Sequence, residues 1–96
     1  MSTPPPAVPT VQVDNERVRV TEWRFAPGAA TGWHRHDLDY AIVPITTGQL
    51  RIQTGSAETI ADLVTGRSYF RSAPVEHDVI NPNPYEFAFI EIELKR

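Results

Sequence analysis

Gly28-Ala29-Ala30-Thr31-Gly32-Trp33-His34-Arg35-His36 holds two of the chain's three histidines, separated by one residue. Side chains alternate between the faces of a β-strand, so His34 and His36 project the same way with their rings side by side. That spacing presents two imidazoles to one metal ion. Taken alone, a His-x-His pair is equally a surface feature. The third histidine, His77, follows a proline in Pro74-Val75-Glu76-His77-Asp78-Val79-Ile80-Asn81.

Outward from the pair, the chain reads as short strands between turn residues. Val11 and Val13 alternate with polar neighbours, and Asp14-Asn15-Glu16 makes a turn. Residues 17–25 are β-branched and aromatic, with Val18 and Val20 on one parity and Trp23 and Phe25 on the other, which predicts a bulge or two buried faces. Pro27-Gly28 ends that run. Residues 33–36 and 40–46 are strand-like and separated by Asp37-Leu38-Asp39. Thr47-Gly48 and Thr54-Gly55-Ser56 read as hairpin turns around Leu50 and Ile52, and a short strand follows over 59–63. Asn81-Pro82-Asn83-Pro84 is a loop. In the last strand Ala88, Ile90, Ile92 and Leu94 are expected to form the buried face, while burial on the side of Phe87 and Phe89 fades at Glu91 and Glu93. No window keeps a helical period, and eight or nine such strands predict an all-β sandwich or barrel.

Composition narrows the function classes. Ninety-six residues make one domain. The net charge is −3, and the eight arginines and single lysine (Lys95) are scattered, so no nucleic-acid partner is expected. The chain has no cysteine, which excludes thiolate sites and suits a reducing, cytoplasmic location. No targeting signal and no apolar run of membrane-spanning length is present, so no membrane partner is expected. Pro4, Pro5, Pro6 and Pro9 set residues 1–10 apart as an extended tail, either a disordered leader or an arm across a partner subunit. Residues 11–96 form the single domain.

Two longer patterns sharpen this picture. Residues 28–48, from Gly28 through His34-Arg35-His36 to Gly48, resemble the first cupin motif. Residues 66–81, from Gly66 through Pro74 and His77 to Asn81, resemble the second. Three residues depart from the pattern. Ser72 and Pro74 replace the Pro and Gly of the second motif, a turn that still contains a proline. The glutamate of the first motif is missing: counting forward from His36 selects Tyr40 or Ala41, counting back from Gly48 selects Ala41, and Asp39 sits one residue early. The chain thus resembles small single-domain cupins. Gly32-Trp33-His34-Arg35-His36, Asp39-Tyr40, Tyr69-Phe70-Arg71 and Glu91-Ile92-Glu93-Leu94-Lys95 are similar to bacterial cupins named for β-alanine degradation.

The resemblance implies a cupin-type jelly-roll β-barrel, a homodimer, and one divalent metal ion per chain on His34, His36 and His77. Iron is the first expectation, with nickel, manganese or zinc as alternatives. Three neutral imidazoles leave the ion's full charge and at least one position open for water or a small-molecule ligand. The expected function is a mononuclear three-histidine metalloenzyme of dioxygenase or isomerase type, acting on a small organic acid or carbonyl compound. The alternative is a non-catalytic cupin that binds or senses a metabolite. Tyr40 is the catalytic candidate, a pocket phenol rather than a metal ligand, since a phenol must lose its proton to bind well. Trp33 is expected to pack between sheets, Arg35 to face solvent, Asp37 and Asp39 to lie in a solvated bend, and Asn81 to hold the loop after His77. Tyr69, Phe70 and Phe89 are candidate pocket walls.

Overall fold

The structure is a computed structural model that describes residues 3–96. Its nine strands are β1 (Val8–Asp14), β2 (Val18–Phe25), β3 (His34–His36), β4 (Tyr40–Pro44), β5 (Gly48–Thr54), β6 (Ala57–Leu63), β7 (Tyr69–Arg71), β8 (Val75–Ile80) and β9 (Phe87–Leu94). They form two antiparallel sheets, one ordered β1-β2-β9-β4-β7 and the other β3-β8-β5-β6. Consecutive strands repeatedly fall in opposite sheets, which is the jelly-roll solution to burying one face of each. Among the described residues no helix is long and apolar enough to cross a membrane.

The core lies between the sheets, where Phe25 and Phe87 are direct cross-strand partners and both fully buried. Phe89 tilts against Phe25 at 5.5 Å between ring centroids, and Leu50 and Ile42 close the space. Each such side chain stabilises the fold by about 1.5–3 kcal/mol relative to exposure. Asn81 is fully buried, and its Nδ2 donates to the carbonyl oxygens of Phe25 (3.1 Å), Ala26 (3.3 Å) and Tyr85 (2.9 Å). It therefore holds the loop after β8 to the end of β2, as the sequence suggests.

Several expectations need correction. β1 begins at Val8, inside the stretch assigned to a tail. Upstream of it the Ala7 amide donates to the Ala30 carbonyl and the Ala30 amide to the Pro5 carbonyl, both at 2.9 Å, and Ala7 is buried in the core cluster. Prolines tolerate such an edge position because the bonds fall on carbonyls and on Ala7. Met1 and Ser2, the first residues of that tail, lie outside the described residues. Of the two alternatives for residues 17–25, the bulge lies instead in β1, between Val11 and Val13, while β2 pairs with β9 without a break and is covered on both faces, with Val18 and Val20 half-buried on one and Thr21 and Phe25 buried on the other. In β9 the buried face carries Phe87, Phe89 and Glu91; of the four residues expected to be buried Ala88 is, whereas Ile90 and Ile92 are half-buried and Leu94 is exposed. Trp33 precedes β3 and is 56% exposed, so it does not pack between the sheets.

Candidate metal centre

The pairing of β3 with β8 makes the cluster. His34 is the direct cross-strand partner of His77, and His36 lies two residues along the same face. Ring centroids are 4.7 Å apart for His34–His36, 4.6 Å for His34–His77 and 5.2 Å for His36–His77. One nitrogen from each ring falls within 4.8 Å of the others. The structure thus brings together the three histidines named from the sequence.

Ring orientation suits coordination. The His34 Nδ1 lies 2.8 Å from the Gly32 carbonyl oxygen. A carbonyl only accepts, so Nδ1 is the donor, and Nε2 is the nitrogen whose lone pair the ligating form of the ring offers. That Nε2 lies 3.0 Å from the Nε2 of His36. Two imidazole nitrogens bound at right angles to one ion at 2.0–2.1 Å would be separated by about 3.0 Å. Among the described residues the Nδ1 of His77, itself in the cluster, is buried without a hydrogen-bond partner, so this ring has unused capacity. The donor set therefore fits a divalent metal that accepts neutral nitrogen ligands.

Electrostatics favour the same state. Burial holds His36 down at about 4, with the neighbouring His34 adding to the shift and Asp37 opposing it. Burial likewise holds His77 at about 3, reinforced by His34, His36 and Arg71. Both rings are neutral at pH 7, the form that ligates.

Tyr40 opens β4 and is almost fully buried, with its ring stacked on His36 at 4.2 Å and 27° between planes. The turn before it brings the phenol back to the site. In that turn the Asp39 carboxylate accepts the Ala73 amide at 2.7 Å and the Asp39 carbonyl accepts the Leu94 amide at 2.9 Å. Asp39 thus anchors the turn rather than sitting in a freely solvated bend. Asp37 pairs with Arg35 on the surface. Burial pushes the Tyr40 phenol up to about 12, so it is protonated at neutral pH. Tyr69 and Phe89 line the cavity, but Phe70 faces outward and is 54% exposed.

Sequence reasoning missed Glu91. Its Oε1 lies 3.7 Å from the His36 Nε2, and the side chain is buried. Burial, together with the charge of Glu93, pushes its carboxyl up to about 7, opposed by Trp23 and Arg19. It groups with His36 and Glu93 rather than with the full histidine triplet. The available signal was parity: Glu91 shares a face with Phe87 and Phe89. The cavity at the histidines measures about 20 Å³, room for one or two waters or the reacting end of a small ligand.

No protein-family model matches the chain. Over 95 residues it is 58% identical to the beta-alanine degradation protein BauB of Pseudomonas aeruginosa, covering 99% of this chain and 100% of that protein. A cupin domain from Bordetella pertussis superposes with a TM-score of 0.98 at 55% identity, covering 100% of both chains. A double-stranded β-helix domain from Klebsiella pneumoniae superposes with a TM-score of 0.78 at 18% identity, covering 98% of this chain and 81% of that one. The last likeness concerns the fold alone.

Proposed function

This chain belongs to the cupin family, with BauB as a relative, and we propose that it is a mononuclear metalloenzyme acting on a small organic acid or carbonyl compound. The observation that carries the reading is the convergence of three imidazoles with the His34 tautomer fixed by Gly32. His34, His36 and His77 would hold one divalent ion, iron first, with nickel, manganese or zinc as alternatives. Bound there, the ion would supply a Lewis-acidic or O₂-binding centre, which suits dioxygenase or isomerase chemistry. The name of BauB supports a substrate drawn from the compounds met in β-alanine degradation.

The chain's own groups would do the rest. The neutral Tyr40 phenol, stacked on His36, offers a hydrogen bond to a ligand in the cavity. Glu91 supplies a carboxyl near its midpoint at neutral pH on the wall beside His36. Trp23, Tyr69 and Phe89 line the cavity and limit water. A cytoplasmic location belongs to this reading and is supported by the absence of cysteine.

The reading includes a homodimer. Val13, Val20, Ile92, Ala41 and Phe70 are successive cross-strand partners, one from each strand of the five-stranded sheet. They form an apolar row on its outer face, which a second copy would cover by a two-fold contact.

Elemental analysis after reconstitution with Fe, Ni, Mn and Zn tests the centre. One metal per chain, lost in His77→Ala, is expected, followed by oxygen uptake or isomerisation in a screen of small acids. Protein that stays metal-free with all four ions rules the reading out.

A further inference from the structure

We infer that Arg71 is the anchor for a carboxylate, so the cavity's ligand is a small carboxylic acid held with its other end toward the histidines. This deepens the proposed function and rests on it for the metal, but not for the anion.

Strand register aims the side chain. In β7, Arg71 pairs with Tyr40, Phe70 with Ala41 and Tyr69 with Ile42. Phe70 is exposed on the outer face, so Tyr69 and Arg71 share the inner face with Tyr40 and Ile42. Arg71 accordingly lines the same cavity as His34, His36 and His77. Its charge acts on both the Tyr40 hydroxyl and the His77 ring.

Pairing separates Arg71 from the arginines of the sheet surfaces. Arg19, Arg24, Arg35 and Arg51 each meet a carboxylate within 4 Å. Among the described residues no carboxylate meets Arg71 in that range. The residue is nevertheless exposed, at the open side of the cavity on an edge strand. It can therefore receive an anion from solvent without first breaking an ion pair. In a chain of net charge −3, a guanidinium at the mouth of this cavity is a local inversion of sign. A planar guanidinium matches a carboxylate with two parallel N–H···O bonds, which fixes the ligand's direction as well as its charge.

Register fixes where the far end lies. Arg71 pairs with Tyr40, whose ring stacks on His36. A ligand with its carboxylate on Arg71 therefore presents its far end past Tyr40 toward the histidines of the facing sheet.

The test uses propionate and its neutral isostere propionamide. Binding is measured by calorimetry or amide chemical shifts on metal-free and zinc-loaded full-length protein. Propionate should bind both forms more tightly than propionamide. Arg71→Gln should weaken propionate about tenfold or more and leave propionamide and the zinc stoichiometry unchanged, with Arg71→Lys in between. Equal propionate affinity in wild type and Arg71→Gln overturns the inference, as does no binding at concentrations on the order of 10 mM. If zinc fails to bind while propionate binding still depends on Arg71, the metal reading falls and this one stands. If zinc binds and propionate ignores Arg71, the reverse holds.

Discussion

The Nε2 atoms of His34 and His36 stand 3.0 Å apart because Gly32 grips the far side of the His34 ring. Gly32 can do so in a backbone conformation (φ 83°) that other residues adopt at a cost. Thr31 completes the grip. Its Oγ1 lies 3.2 Å from the His34 Nδ1, donates to the Gly32 carbonyl at 2.9 Å and accepts the Val79 amide at 3.1 Å. Thr31→Val keeps the shape and removes these bonds. Metal affinity should fall about tenfold, the lower end for a residue that orients a ligand. Stability should fall by about 1 kcal/mol. Competition with a chelator and a urea titration measure the two, and unchanged metal affinity would show that Gly32 alone suffices.

The histidine cluster was legible because its signal is local. Strand parity pairs His34 with His36, and the motif spacing supplies His77. Glu91 was not legible, because both faces of β9 are apolar. Ile90, Ile92 and Leu94 look like core by hydropathy, yet they face outward, while Phe87 and Phe89 fill the interior. Hydrophobicity marks what avoids water; it does not say whether the cover is the other sheet or another molecule. Trp33 fails for a related reason: strand parity was extended one residue beyond the start of β3. The role of Ala7 depends on Ala30, a non-local contact that a proline-rich composition conceals.

That contact predicts the effect of truncation. Deleting residues 1–9 removes buried Ala7, its two-way bonding with Ala30 and the first two residues of β1. The melting temperature should drop by about 5 °C or more, the effect of roughly 1 kcal/mol in a domain of this size. Deleting residues 1–4 leaves those bonds intact and should change it little. Equal melting temperatures for the two truncations would mean that the segment adds nothing to the fold.

The apolar row on the five-stranded sheet gives a sharper test of assembly. Phe70 ends the row and is 54% exposed, so Phe70→Glu has little to disturb in the isolated chain. In a face-to-face dimer it places a charge in the contact, which desolvation and its symmetric copy both oppose. Sedimentation equilibrium should find a wild-type dimer and a Phe70→Glu monomer with unchanged metal content. Ile60→Glu, on β6 of the other sheet and 48% exposed, should remain dimeric. A monomeric wild type at concentrations on the order of 100 μM contradicts the proposed dimer.

The pH dependence of metal-free protein turns on Glu91 opposing two histidines. His36 and His77 are held at about 4 and about 3, below the ordinary 6.5. Their contribution is complete above 6.5 and is lost as pH falls through those values. Glu91 is held at about 7, above the ordinary 4.5. Its contribution is complete below 4.5 and is lost as pH rises through 7. Between 4.5 and 6.5 the two histidines outweigh the one carboxyl, so stability should climb with pH, then slip slightly before it levels off above 7. Glu91→Gln keeps the shape and removes the opposing term. Relative to wild type, the variant should gain on the order of 2 kcal/mol between pH 4.5 and pH 8, because only the wild type must then ionise a buried carboxyl beside Glu93. Urea unfolding at the two pH values, with chelator present, measures the difference. Parallel stability curves for the two proteins would mean that the Glu91 carboxyl ionises as readily in the fold as in the unfolded chain.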